Sequence, residues 1–165
     1  MSIELELVKI EVPELEIPVF VETSGIVSFH KCLMIAGVLT ADGKFFDHAI
    51  VWDKEYYLQT SSSMFQFVNA HEIGHIHLNH TAVDLGTGIK FTGVGKTTLE
   101  VSRRLRQEIE ADAYAINITG TTPEMATEYL NTLFESIEHA KIGMYNRLLI
   151  KCEKYVRLAA ILLKK

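Results

Sequence analysis

The amino-acid sequence predicts an α+β fold in which antiparallel strands come first and helices follow. Three observations support this class. β-prone stretches are confined to residues 2–60, stretches with helical periodicity begin near residue 64, and no linker or internal repeat separates them. A length of 165 residues with 48% hydrophobic side chains suits one domain that buries its own core. We therefore predict a single domain over residues 1–165.

The predicted strands occupy two segments. Residues 2–21 alternate apolar and acidic side chains, which is typical of a strand with one face in water, and Pro13 and Pro18 make residues 1–22 an edge strand or an arm. An N-terminal meander of three strands follows this segment. Its strands are residues 31–40, 45–52 and 56–60, and its first turn is Ala41-Asp42-Gly43.

Four helices are predicted after the strands, each with a boundary signal. The first runs from Met64 to Asn79 after the capping pair Ser63 and Gln66, and the second opens at the capping pair Thr97 and Glu100 and runs to Ile118, before Gly120. The third helix begins at Thr122-Pro123, and the fourth follows Gly143. Residues 81–96 hold four glycines and indicate a long mobile loop.

Apolar stripes mark one face of each of the last two helices, which form a helical C-terminal part over residues 122–164. The third helix carries Ala126, Tyr129, Leu130, Leu133 and Ile137 on this face. The fourth helix carries Tyr145, Leu148, Leu149, Cys152, Val156, Ala159 and Leu163.

Composition excludes several classes of protein. A net charge of −5, from 16 basic and 21 acidic residues, argues against a binder of nucleic acid. The two cysteines, Cys32 and Cys152, are too few for a disulfide framework and are expected to be small core residues. The N-terminus lacks the features of a signal peptide, and no apolar run approaches the length of a membrane span. We therefore expect a cytoplasmic protein with no membrane partner.

The pentapeptide His71-Glu72-Ile73-Gly74-His75 lies on the first predicted helix. Histidines at positions i and i+4 share one helical face, so both imidazoles can bind a single metal ion. Glu72 lies beside that face, where it can reach a metal-bound water without being a ligand. The pattern therefore predicts two nitrogen ligands and a general base from one rigid helix.

A catalytic zinc ion usually takes a third protein ligand. On the second predicted helix, Glu108 and Asp112 are also spaced i and i+4 and share a face. We predict Glu108 as the third ligand and Asp112 as the carboxylate that accepts the second N–H of a ligating histidine. Glu110 points away from that face and is the less favoured alternative.

These motifs resemble a known family. HEIGH followed by ExxAD resembles the gluzincin metallopeptidases, and FVNAHEIGHIHLNH with EIEADAYA resembles the ImmA/IrrE family in particular. The resemblance covers residues 45–120, which we take as the catalytic core. It implies a minimal gluzincin fold, zinc bound by His71, His75 and Glu108, and Glu72 as the base. It further implies limited cleavage of a regulatory protein, such as a transcriptional repressor, in a bacterial, phage or mobile-element setting.

Two other hypotheses remain open from the sequence. In the first hypothesis, the protein binds zinc only as a catalytically silent regulatory or interaction module, which a closed site that recruits His77 or His80 would favour. Alternatively, the acidic segment 1–22 covers the cleft of a latent peptidase.

Further motifs are interpreted more simply. GVGKTT at residues 93–98 lacks the first glycine of a P-loop, so we expect a rim loop. His77 and His80 are expected at an exposed helix end, and Arg103, Arg104 and Arg106 on a solvated helix face or at the substrate edge. Tyr114, His139 and Tyr145 are candidates for stabilising an oxyanion, and the sequence does not choose among them.

Overall fold

The computed structural model describes residues 6–13, 15–25, 31–40, 42–80, 98–138 and 144–163. In this part of the chain, a four-stranded mixed sheet is followed by five helices. The α+β class and the order of strands before helices are therefore confirmed.

The sheet contains β1 (Leu7–Ile10), β2 (Val19–Glu22), β3 (Cys32–Leu39) and β4 (Phe45–Asp53) in the spatial order β1-β2-β4-β3. β2 runs parallel to β4, whereas the other two pairs are antiparallel. Gly43, with φ of 80°, lies in the tight turn between β3 and β4, where its missing side chain permits this conformation. β1 and β3 form the two edges of the sheet.

The N-terminal segment agrees with the prediction only in part. β1 is an edge strand as expected, but β2 lies inside the sheet, where its residues Val19, Phe20 and Val21 are buried. Pro18 is tolerated because it precedes the first residue of β2 and only its carbonyl is used, as the acceptor for the N–H of Ile50.

The predicted third strand of the meander is wrong, because residues Lys54–Gln59 form a short helix, α1. The carboxylate of Asp53 accepts a hydrogen bond from the backbone N–H of Tyr56 at 3.0 Å and so caps the first turn. The β-prone aromatic residues of this segment were therefore outweighed by a capping signal.

The longer helices are α2 (Ser62–His77), α3 (Thr98–Thr119), α4 (Pro123–Glu138) and α5 (Met144–Leu162). α2 begins two residues earlier than predicted because Ser61, not Ser63, accepts a hydrogen bond from the N–H of Met64. α3 ends before Gly120 as predicted, with φ of 65° at that glycine. Thr97, the loop at 81–96 and Gly143 lie outside the described residues.

A buried tryptophan fixes α2 on the sheet. Trp52 of β4 is fully buried, and its indole N–H donates to Oδ1 of Asn69 at 3.0 Å. Its ring stacks on Tyr56 and Phe65, with centroids 5.6 and 5.1 Å away. Asn69 lies on α2 only two residues before the pentapeptide, so this contact sets the position of the helix beneath the candidate site.

The main core lies between the sheet and the helices. The predicted stripe of α4 is confirmed, since Ala126, Tyr129 and Leu130 are buried in this core. The predicted face of α5 is wrong. Leu148 and Leu163 are exposed, while the buried side of that helix holds three other residues, Ile150, Arg157 and Ile161.

The two cysteines differ in their exposure to solvent. Cys32 is buried as expected, whereas Cys152 is exposed on α5 and is not a core residue. Among the helices of the described ranges, none combines the length and apolarity needed to cross a bilayer.

Candidate metal centre

Two histidines of α2 face each other. His71 and His75 lie one helical turn apart, and their Nε2 atoms are 3.1 Å from each other. Two imidazole nitrogens at this distance have lone pairs that repel, so they must share a proton or a metal ion. His71 is buried and His75 is mostly buried, which limits the screening of this contact by water.

The third predicted ligand comes from α3. Glu108 Oε2 lies 3.3 Å from Nε2 of His71, and Oε1 lies 3.8 Å from Nε2 of His75. α2 and α3 approach closely because Gly74 has no side chain. A Cβ atom at this position would lie 3.1 Å from the ring of Tyr114. The structure thus brings together the three side chains that the sequence singled out as ligands.

The three ligand atoms fit a tetrahedral ion. All of them lie within 4.8 Å of one another. Ligands about 2.0–2.1 Å from a tetrahedral zinc ion are separated from one another by roughly 3.3 Å. The two histidine nitrogens are 3.1 Å apart and Oε2 of Glu108 lies 3.3 Å from His71, both close to that value, while its Oε1 lies 3.8 Å from His75. Two imidazoles and one carboxylate also form a donor set that suits zinc.

Glu72 lies beside these ligands and is held by the sheet. Its Oε2 atom accepts a hydrogen bond from the backbone N–H of Met34 in β3, at 2.9 Å. Burial raises the pKa of Glu72 to about 7. The carboxylate is therefore next to the ligands without being one of them, and its burial favours the protonated form.

Asp112 and Arg157 support His71 from behind. Oδ1 of Asp112 lies 2.9 Å from Nδ1 of His71, a close ionic contact whose geometry falls short of a good hydrogen bond. Arg157 of α5 donates to both oxygens of Asp112 at 2.8 Å and lies 3.1 Å from Oε2 of Glu108. Asp112 thus lies next to the second ring nitrogen of His71, where its predicted role would place it. Arg157 was missed, because nothing local in the sequence links α5 to the pentapeptide.

A second chain of contacts supports His75. Nδ1 of His75 lies 2.9 Å from Nδ1 of His80, and Nε2 of His80 lies 3.1 Å from Glu110. Arg106 then donates to the other oxygen of Glu110 at 2.8 Å. The expectation that His80 lies exposed is wrong, because its side chain is 5% exposed. Glu110 is not one of the three converging ligand residues and contacts His80 instead.

The pKa values of the two histidines are shifted in opposite directions. Burial disfavours a charge on His71, but the nearby Asp112 and Glu108 carboxylates outweigh it and raise its pKa to about 10. Burial and the charge of His71 lower the pKa of His75 to about 3. Burial also opposes ionisation of Glu108, yet Arg157 and His71 hold its pKa well below the usual range. The site is therefore strongly anionic and draws a positive charge to His71.

The remaining candidates lie away from the three ligands or outside the described part. His77 stacks on Tyr114 with ring centroids 5.5 Å apart and is exposed. His139, the side chain of Tyr145 and residues 93–97 of the GVGKTT segment lie outside the described residues. The residue that stabilises an oxyanion is thus not assigned.

Comparison of the chain with protein-family models, with curated proteins and with solved structures finds no match. The case for a function therefore rests on the residues of this centre.

Proposed function

We propose that this protein is a zinc-dependent metallo-endopeptidase, in which His71, His75 and Glu108 bind the metal and Glu72 is the general base. One observation carries the proposal. Three ligand atoms from two helices converge within 4.8 Å, beside a buried carboxylate that is not one of them. A site that only stabilises the fold does not need that additional carboxylate.

The balance of charge supports a divalent cation. In the metal-free protein the carboxylates of Glu108 and Asp112 are paired with the guanidinium of Arg157 and the imidazolium of His71, and all four groups are largely removed from water. A metal ligand must be a neutral imidazole, so a cation bound here takes the place of the positive charge on His71. Buried charges are costly unless they are paired, so a dication fits the site by charge as well as by geometry.

Glu72 has the position and proton affinity that a base requires. Zinc bound here would supply Lewis acidity, lowering the pKa of a bound water and polarising a peptide carbonyl. Glu72 would take a proton from the attacking water and deliver it to the leaving amine. Its hydrogen bond from Met34 fixes one oxygen and leaves the other to exchange the proton.

Among the described strands, β3 is the edge strand next to Glu72, and its outer edge is the proposed binding surface for an extended peptide. β4 offers no edge because it lies inside the sheet, and residues 54–59 are helical. The N–H of Met34 is already donated to Glu72, so the peptide would pair with the backbone of Ala36, which points away from β4 in the same direction. A peptide added along β3 would thus lie beside the base.

The substrate and setting rest on the motifs alone. The two motifs resemble those of ImmA/IrrE peptidases, which supports a regulatory protein, such as a transcriptional repressor, as the substrate. A bacterial, phage or mobile-element source fits the same resemblance.

The silent zinc module is the alternative function. It was expected to use a fourth protein ligand from His77 or His80. His80 contacts the Nδ1 atom of His75, on the other side of the ring from the ligand atoms, and His77 stacks on Tyr114. Within the described residues the cluster has three members, and this arrangement favours catalysis over a closed site. β1 lies at the edge opposite β3, so the described part of segment 1–22 lends no support to latency.

The first experiment measures metal content in four purified proteins: the wild type, Glu108→Gln, Glu128→Gln and Glu72→Gln. Glu128→Gln is the matched control, because this glutamate is exposed on α4 and is not part of the centre. We expect about one zinc per chain in the wild type, Glu128→Gln and Glu72→Gln, and a strongly weakened site in Glu108→Gln.

Hydrolysis of a mixed library of fluorogenic peptides then tests the reaction. Zinc-loaded wild type should cleave members of the library, whereas Glu72→Gln should retain zinc and lose cleavage. Cleavage by Glu72→Gln at the wild-type rate would refute the assigned base. A wild type that takes up no zinc would refute the metal centre, and one that binds zinc without cleaving any peptide would support the silent module.

A further inference from the structure

Arg157 is the central residue of a buried ionic cluster that joins α5 to the metal centre. Its guanidinium binds both oxygens of Asp112 at 2.8 Å and lies 3.1 Å from Glu108 Oε2 and 3.2 Å from Glu153 Oε1. The side chain is 5% exposed. Two of its three partners are the carboxylate that contacts His71 and the carboxylate proposed as third ligand.

The exposure of apolar side chains on α5 indicates that apolar burial alone does not set its rotation. Three large apolar side chains of this helix, Leu148, Tyr155 and Leu162, are 60%, 68% and 47% exposed, while Arg157 is buried. The buried side also carries Ile150 and Ile161, so apolar residues lie on both sides of the helix. The contacts of Arg157 with Glu108 and Asp112 distinguish the buried side from the exposed one.

We propose that Arg157 is a positioning residue of the metal centre. This inference rests on the proposed function and adds a residue to which that function assigns no role. One guanidinium holds Glu108 directly and holds His71 through Asp112, so it sets the orientation of two of the three ligands.

A lysine cannot perform the same task. The planar fork of arginine contacts both oxygens of Asp112 and, with a further N–H, Glu108, whereas an ammonium group is a point charge without that geometry. A buried ion pair is by itself weak evidence for stability, because desolvation offsets much of its attraction. The function of the cluster is therefore better sought in the ligands that it orients than in the stability of α5.

The test compares the wild type with Arg157→Lys and with Arg147→Lys, an exposed position on the same helix. Zinc affinity is measured by competition with a chelator, and the visible spectrum of the cobalt-substituted protein reports the coordination geometry. Unfolding of the metal-free proteins in urea reports stability separately. We expect Arg157→Lys to weaken zinc binding by about 10–100-fold and to change the cobalt spectrum, and Arg147→Lys to match the wild type.

A purely structural role would give a different result. Arg157→Lys would then unfold at lower urea but bind zinc with wild-type affinity and an unchanged cobalt spectrum, and the inference would be overturned. If the wild type binds no zinc, the proposed function fails together with this inference. If the wild type and Arg157→Lys bind zinc with the same affinity, only this inference fails.

A second measurement needs no variant, and so holds even if Arg157→Lys does not fold. Because Arg157 ties α5 to Glu108 and to the partner of His71, zinc should slow amide hydrogen exchange in the buried part of α5 as well as in α2 and α3. Zinc that protects α2 and α3 but leaves residues 150–161 of the wild type unaffected would contradict the positioning role.

Discussion

Gly74 permits the close contact of α2 with α3, and its substitution tests how tightly the two ligand-bearing helices are held. A Cβ atom at this position would lie 3.1 Å from Cδ1 of Tyr114 and 3.2 Å from both its Cβ and Cγ. Carbon atoms pack comfortably at about 3.5–4.0 Å, so the overlap is roughly 0.4–0.8 Å. Tyr114 cannot relieve it by turning its ring, because its own Cβ is one of the crowded atoms.

The expected loss of stability follows from two opposing effects. Overpacking of this kind costs about 1–3 kcal/mol. Alanine in place of glycine inside a helix gains about 0.8–1.0 kcal/mol. We therefore expect Gly74→Ala to lower the free energy of unfolding by about 1 kcal/mol. In a Tyr114→Gly background all three crowded atoms are absent, so the same change should stabilise the protein by about 1 kcal/mol.

Urea unfolding of the wild type, both single variants and the double variant measures this change of sign. The coupling energy across the cycle should be about 2 kcal/mol. Zinc affinity should also fall in Gly74→Ala, because a wider gap between α2 and α3 moves Glu108 away from His71. If Gly74→Ala stabilises the protein equally in both backgrounds, Tyr114 does not pack against this glycine and the argument is wrong.

Three further predictions concern the support of the site and the core. His80→Ala should weaken zinc binding about 10-fold, because His75 loses the partner of its Nδ1 atom, whereas His77→Ala should not; equal effects of the two variants would contradict the assigned chain of contacts. Asn69→Ala should lower the free energy of unfolding by about 1–3 kcal/mol, because the buried indole N–H of Trp52 loses its acceptor. A decrease in this free energy of less than about 0.5 kcal/mol, measured by urea unfolding, would count against that contact. Cys152 should react with a thiol reagent in the folded protein, whereas Cys32 should react only on unfolding. Burial and the nearby Glu72 carboxylate raise the pKa of Cys32 and keep its thiol protonated at pH 7–8. Rapid modification of both thiols in the native protein would show that β3 is not buried as described.

Local spacing determined much of the candidate site. His71 and His75 meet, and Glu108 and Asp112 share a face, because residues four apart in a helix lie one turn above each other. The end of α3 before Gly120 and the start of α4 at Pro123 likewise depend on backbone preferences of single residues. Such features need only the helix itself, so they could be predicted without knowing the fold.

Only the tertiary structure decided which partners these residues receive. Arg157 reaches Asp112 across 45 positions of sequence, and His80 reaches Glu110 across 30. The edge strand beside Glu72 is β3, because β2 returns to pair with β4 on its other side. α5 is apolar on much of its surface, so its pattern does not select the buried face, and the ionic cluster of Arg157 selects it instead. These choices depend on how distant segments pack and where their charges meet, and neither is encoded in a short stretch of sequence.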